Sequence, residues 1–324
     1  MTQQTGLRIA VDGLSKSFGT VRAVHGLTFA AEPGRVTGFL GPNGSGKTTT
    51  LAMVLGLTRP DGGTATIGGT PYAALERPAL TVGASLSANF HPAHTGRAHL
   101  DIARRAIGAP RARVAETLEL VGLGDAADRK TGGYSLGMRQ RLALAAALLG
   151  DPAVLLLDEP INGLDPEGIR WIRLLLRHLA SEGRTVLLSS HLLSEVQQTA
   201  DDVVVIRRGE LAYAGTLAGL QRGDGERTVL VSAAEPEDAP ELARVLQTAG
   251  ARFDGARFDG ARSDGAAAHA DALQVQGLDP AAIGRLARDA GLALSHLSVR
   301  ESELEQSFLD LIDSPDTPAE GGAA

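Results

Sequence analysis

Short, uninterrupted apolar runs, each followed by a loop and a helix-compatible stretch, set the rhythm of this chain. Val36–Leu40, Ala153–Leu157 and Thr185–Ser189 lack the strict alternation of a half-exposed strand. Such runs mark strands buried on both faces, as in a parallel sheet. Leu7–Val11 and Thr28–Ala31 read as short strands of a β-rich start, and Thr64–Ile67 as one more. A glycine-rich segment, 41–49, follows the first buried run and leads into a helix-compatible stretch to Leu55. From Leu75 to Leu149 the pattern is mostly helical, broken by proline, histidine and glycine near His91–Gly96. Pro166–Ser181 reads as a helix with proline at its start and Gly183 just past its end. A further helix is expected over Leu192–Ala200, and a hairpin from Val203–Ile206 and Leu211–Ala214 around Arg208-Gly209.

Alternation of strand, loop and helix predicts an α/β fold with a mainly parallel sheet and phosphate chemistry at the strand C-termini. The N-terminal part is β-rich, and the helical stretch 75–149 is expected as an inserted subdomain. Composition shifts near Gly219–Arg227, which places a boundary at about residue 220. Beyond it, strands at Thr228–Ser232, Leu273–Gln276 and Leu294–Val299 and helices at Pro240–Ala249 and Asp279–Ala290 predict a small α+β domain, 221–313. Ser302-Glu-Leu-Glu305 is a capping-box pattern opening a last helix to about Ile312. Residues 250–265 repeat Gly-Ala-Arg-Phe/Ser-Asp three times and read as a surface insertion; 314–324 reads as a disordered tail.

Composition narrows the chemistry. The 324 residues include no cysteine, which removes disulfides, thiolate metal sites and thiol catalysis together. A net charge of −7 argues against a protein held to nucleic acid by a basic surface. Met1–Gly6 has neither the basic start nor the apolar run of a secretory leader. The longest uncharged apolar run, Leu142–Gly150, stops at Asp151, far short of the ~20 residues that span a bilayer. Arginine carries nearly all the positive charge, and the lysines are Lys16, Lys47 and Lys130 alone.

One of those lysines sits in the glycine-rich segment. Gly41-Pro-Asn-Gly-Ser-Gly-Lys-Thr48 has the spacing of a P-loop between a buried strand and a helix. Its glycines let successive backbone N–H groups face phosphate oxygens, with the positive helix N-terminus behind them. The candidate phosphate-binding set is Gly41, Asn43, Gly44, Ser45, Gly46, Lys47, Thr48 and Thr49. Lys47 suits a compact charge on the β- and γ-phosphates, and the Thr48 hydroxyl suits Mg²⁺. The second buried run delivers Asp158 and Glu159 at its end. Asp158 is the expected partner of the Mg²⁺ shell, and Glu159 is placed to polarise an attacking water.

P-loops serve kinases, GTPases, helicases and transport ATPases alike. Further segments, in order around the loop, resemble those of ATP-binding cassette proteins over roughly residues 7–220. Tyr134-Ser-Leu-Gly-Met138 resembles the family signature, usually Leu-Ser-Gly-Gly-Gln; Ser135 and Gly137 match, while Leu136 and Met138 depart. Asn162-Gly-Leu-Asp165 resembles the D-loop, His191 the switch histidine, and Phe18 the aromatic ring that stacks on adenine. Taken singly, Ser135 and Asp165 also read as helix caps, His191 as a helix-start histidine and Phe18 as core. Ser87 stands where the family usually carries glutamine, and a serine hydroxyl reaches less far than an amide. The segment Phe90–Leu100 is rich in histidine but lacks acidic and cysteine partners for a metal.

The resemblance implies an ATPase whose cassettes pair head to tail. Each ATP would lie between one P-loop and the partner's Ser135 and Gly137, with Asp165 beside it. Glu159, His191 and Lys47 would be catalytic; Thr48 and Asp158 would hold Mg²⁺. It further implies a separate transmembrane permease, a place on the inner face of the cell membrane, and no nucleic-acid partner. The tail Glu303–Leu309 resembles that of antibiotic-exporter subunits, which favours export of a drug, antibiotic or lipid-like compound. The competing function is an ATP switch without a transporter, as in ribosome-associated cassettes. Those types usually hold two cassettes in one chain, whereas one P-loop is found here.

Overall fold

The computed structural model describes residues 6–222, 228–253 and 273–300. The last helix and the tail expected from the sequence lie outside these residues, as does most of the repeat. Two compact units emerge, one running to Leu217 and the other beginning at Ala218.

The first unit opens with β1 (Ile9–Phe18), β2 (Val21–Ala31) and β3 (Val36–Leu40), then α1 (Lys47–Val54) and β4 (Gly62–Ile67). A short α2 (Pro78–Thr81), β5 (Val82–Ser85), α3 (Gly96–Ile107), α4 (Ala112–Leu120) and α5 (Leu136–Leu148) follow. Then come β6 (Val154–Leu157), α6 (Pro166–Ser181), β7 (Thr185–Ser190), α7 (Leu193–Gln197), β8 (Asp202–Arg207) and β9 (Glu210–Thr216). The second unit holds α8 (Leu217–Arg222, begun at the junction), β10 (Thr228–Ala233), α9 (Ala239–Thr248), β11 (Arg252–Phe253), β12 (Leu273–Gln276), α10 (Pro280–Asp289) and β13 (Leu294–Arg300).

Six strands form the central sheet in the order β5-β6-β7-β3-β8-β9. All neighbours are parallel except the β8–β9 hairpin. Every residue of β3, β6 and β7 is buried, as their unbroken apolar runs require. A second sheet, β2-β1-β4, is antiparallel and packs its inner residues Ile9, Leu14, Leu27 and Phe29 with Phe39 and Leu51 in one core.

Two expectations change here. The short N-terminal strands are one long hairpin, because register shifts after Val11, Leu14 and Lys16 break the two-residue alternation that would reveal it. The stretch 75–149 is not wholly a helical insertion: Val82–Ser85 is the edge strand of the central sheet, paired with β6. Four residues are too few for periodicity to separate strand from helix.

Helices α3, α4 and α5 gather around Leu100, Leu118, Leu142 and Leu149, a core of their own. Thr95 caps α3 by accepting from Ala98 N at 3.1 Å, and Gly108 ends it at φ 72°. Trp171 of α6 packs against this cluster and takes the Arg141 guanidinium on its ring face, 4.6 Å from the centroid.

The second unit is a β-α-β-β-α-β array with sheet order β11-β12-β10-β13, antiparallel at every pair, which is the ferredoxin-like arrangement. Val229, Val231 and Val275 meet Leu242, Leu246 and Ile283 from its two helices. Arg252 and Phe253, inside the expected insertion, pair instead with Gln276 and Val275 as β11. A two-residue strand at the edge of a repeat leaves no pattern in the sequence.

His99 of α3 is half-buried with its ring edge-on to Phe90, centroids 4.7 Å apart. Burial, then the neighbouring His94, holds its imidazole below the ordinary range. The unfolded chain then takes up a proton that the folded one resists, so stability should fall as pH drops below about 6.5. Chemical denaturation of His99→Gln at pH 7.5 and pH 5.5 should show a smaller loss across that interval than the parent chain.

Candidate functional site

Strand β3 ends at Leu40 and α1 begins at Lys47, so residues 41–46 close a loop at the C-terminal edge of the sheet. Gly46 adopts φ 107°, a region that L side chains avoid, and a Cβ there would overlap the Ala23 carbonyl oxygen. Gly44 lies at φ 80° with open space where a side chain would stand, while Asn43 and Gly44 are exposed. Lys47 is buried. Its ammonium donates to Gly41 O at 2.6 Å and Pro42 O at 3.2 Å, and lies 3.6 Å from Glu159 Oε1. The buried Ser45 hydroxyl has no hydrogen-bond partner. A buried cation, an unused hydroxyl and an open glycine edge together fit a polyphosphate.

The expected acidic pair completes this edge. Asp158 accepts from Thr48 Oγ1 at 2.6 Å through one oxygen and from Ser189 through the other. Thr48 and Asp158 thus present oxygens at one point, as Mg²⁺ needs, with phosphate and water supplying the remainder. Glu159 leaves the strand at φ 47°, a backbone state that costs a non-glycine residue about 1–2 kcal/mol. Its Oε2 meets His191 Nδ1 at 2.8 Å. Lys47, Glu159 and His191 form one contact set and Thr48 and Asp158 another, joined by the Ser189 hydroxyl, which bonds Asp158 Oδ1 and Glu159 N. Ser189 was not singled out from the sequence; the signal available was a hydroxyl ending the otherwise apolar run of β7.

Phe18 stands at the end of β1, half exposed, with Lys16 Nζ 5.5 Å from its ring centroid. Ser135 and Asp165 do cap helices: Ser135 accepts from Met138 N at 3.2 Å, and Asp165 from Gly168 N at 2.8 Å. The segments around them pack on each other. Leu136 covers Gly163, where any Cβ would overlap its Cδ2, and Gln140 Nε2 donates to Asn162 O at 3.3 Å. Ser87 is exposed just beyond β5, on the rim of a groove of roughly 300 Å³ lined also by Leu57, Phe90, His99 and Ala146.

Fold and site define a P-loop nucleotide-binding ATPase. The family described as "ABC transporter" matches residues 24–162. The chain is 34% identical to the daunorubicin/doxorubicin resistance ATP-binding protein DrrA of Streptomyces peucetius, over 96% of this chain and 92% of that one. It is 41% identical to the bacitracin transport ATP-binding protein BcrA of Bacillus licheniformis, over 63% of this chain and 68% of the relative. Among solved structures it is similar to an ATP-binding subunit of an ABC transporter, at TM-score 0.60 and 26% identity over 66% of this chain and 92% of the other. The dimeric cassette MJ0796 bound to ADP and Pi gives TM-score 0.60 and 25% identity over 65% and 99%. This chain belongs to the ABC transporter family as an ATP-binding subunit. It hydrolyses ATP to drive transport by an ABC system.

The loop geometry makes a prediction independent of turnover. Gly46→Ala should weaken binding of a fluorescent ATP analogue at least tenfold, since strain and the Ala23 overlap both displace the start of α1.

Proposed function

We propose that the chain powers export of a drug, antibiotic or lipid-like compound through a separate transmembrane permease. One observation carries the reading: likeness to a drug-resistance ATP-binding protein runs along 96% of the chain, through the ferredoxin-like unit as well as the cassette. Among the described residues no helix is long and apolar enough to cross a membrane; in this proposal the path for cargo belongs to another subunit. The groove beside Ser87 offers that subunit a mixed lining, apolar at Leu57, Leu86 and Ala146 and polar at Ser85 and Asn89. In this reading the chain works at the cytoplasmic face of the membrane, docked through that groove.

ATP would lie with its adenine on Phe18 and its phosphates on the N–H groups of 41–49, with Lys47 on the β- and γ-phosphates. Mg²⁺, held by Thr48 and Asp158, supplies charge neutralisation at the phosphate oxygens when bound. Glu159 accepts a hydrogen bond from the attacking water and aims it at the γ-phosphorus. As the new P–O bond forms, the bond to ADP breaks and the water proton passes to the carboxylate. His191, already 2.8 Å from Glu159, holds that carboxylate in register. In a head-to-tail dimer, Ser135 and Gly137 of the second copy close over the γ-phosphate at the N-terminus of α5, with Asp165 at the adjoining loop. ATP then favours the closed pair and hydrolysis releases it, a population shift that a permease can follow.

Glu159→Gln should bind ATP within a fewfold of the parent while turnover falls at least ~100-fold. Trapped with ATP and drawn from solubilised membranes of its host, that variant should bring with it a polytopic membrane protein. Recovery with ribosomes, or of an ATP-bound dimer without a membrane partner, would overturn the transport subunit reading. Turnover per molecule should also rise with protein concentration through the dimerisation range; a constant value would exclude the shared site.

A further inference from the structure

β7 lies between β6 and β3, and its last residues, Ser189 and Ser190, are as buried as its leucines. A hydroxyl in such a place needs partners, and those of Ser189 are specific. The ladder between β6 and β7 runs as far as Leu157 opposite Leu188. Asp158 N then turns to Ser85 O on the β5 side, at 2.8 Å. Glu159 N, one residue on, meets the Ser189 hydroxyl oxygen at 2.9 Å. The hydroxyl proton is donated to Asp158 Oδ1, whose sister oxygen accepts from Thr48.

One buried side chain therefore holds both acidic residues, one by its carboxylate and the other by its backbone. The second hold falls where restraint is most needed, because Glu159 sits at φ 47° and an unrestrained glutamate would relax from it. With N–H fixed, the side chain leaves the strand toward Lys47 Nζ at 3.6 Å and His191 Nδ1 at 2.8 Å. The same strand end delivers His191 two residues later.

We infer that Ser189 is a positioning residue for hydrolysis, setting the angle at which Glu159 meets the attacking water without itself touching the nucleotide. This inference rests on the role given to Glu159 above. Alanine at 189 leaves the P-loop and its lysine as they are, and Asp158 keeps its bond from Thr48, so nucleotide affinity is retained while the step after binding suffers. Losses of about 10–100-fold are usual when such a supporting hydrogen bond goes.

The test is a set of steady-state ATPase and ATP-binding measurements on Ser189→Ala, Ser189→Thr, Glu159→Gln and the Ser189→Ala/Glu159→Gln pair. Ser189→Cys, close in volume but a weak acceptor, replaces alanine should that variant not fold. Ser189→Ala is expected to lose at least tenfold in kcat with Kd for ATP within threefold, and threonine to regain most of it. In the Glu159→Gln background the alanine should cost much less, because the carboxylate that Ser189 positions has gone and only its hold on Asp158 remains. A kcat within twofold of the parent, a parallel loss of kcat and affinity, or an equal loss in both backgrounds would overturn the inference. Undiminished turnover of Glu159→Gln would instead remove the reading of Glu159 on which it stands, and the two failures are distinct.

Discussion

Lys47 is a cation in a place where cations are expensive. Its side chain is 6% exposed, and its ammonium is answered by two carbonyl oxygens and a carboxylate 3.6 Å away. A buried charge is tolerated only when fully surrounded by partners. Here the set is loose enough that a polyphosphate, with more charge and more acceptors, is a better partner than the protein's own groups. The loop, the left-handed glycines and the start of α1 all keep that ammonium in place. Glu159 marks the position from which a γ-phosphate would draw it. In the proposed mechanism, affinity and catalysis would be joined through that one exchange of partners.

Legibility followed locality. The cradle could be read because its residues are consecutive and its glycines answer to backbone geometry that few other residues satisfy. Asp158 and Glu159 stood out only with the P-loop upstream, because an apolar run ending in two acids is more often a strand terminus meeting solvent. The long N-terminal hairpin was hidden by its own bulges, and β5 by its four-residue length. β11 was hidden inside a repeat whose period is its own rather than that of a strand. Ser189 was invisible for a different reason. Its importance comes from pairing with a strand 30 residues earlier, and nothing in its neighbours' pattern records which strand lies alongside.

Simple and functional readings of one residue need not compete. Ser135 and Asp165 are helix caps, and their helices begin where the capping geometry says they should. A cap leaves the remaining N–H groups of a first turn pointing outward, with the positive end of the helix behind them. That is what the cradle of the proposed partner copy would need across from its γ-phosphate. The same hydroxyl thus stabilises α5 in the lone subunit and, in the proposed pair, would orient a ligand-facing helix end. The departures from the usual signature keep this end intact, because Leu136 and Met138 replace neighbours while Ser135 and Gly137 remain.

The loop from Glu159 to Asp165 links the two ends of this design. It starts at the residue placed to act on one ATP and finishes at the cap of α6. Along the way Asn162 takes a hydrogen bond from Gln140, and Gly163 lies under Leu136, both from the first turns of α5. Glycine at 163, at φ 76°, is what lets the leucine come down onto the backbone. A shift of Glu159 therefore cannot be absorbed by slack: three and four residues on, the chain is pressed against the helix that carries Ser135. In a dimer whose signature segment serves the opposite ATP, an exposed leucine where the family has glycine makes this contact tighter than a glycine could. Contact between packed surfaces moves both or neither. If the proposed dimer forms, hydrolysis at one site and grip on the other nucleotide would be mechanically tied within a single chain, before any permease is involved.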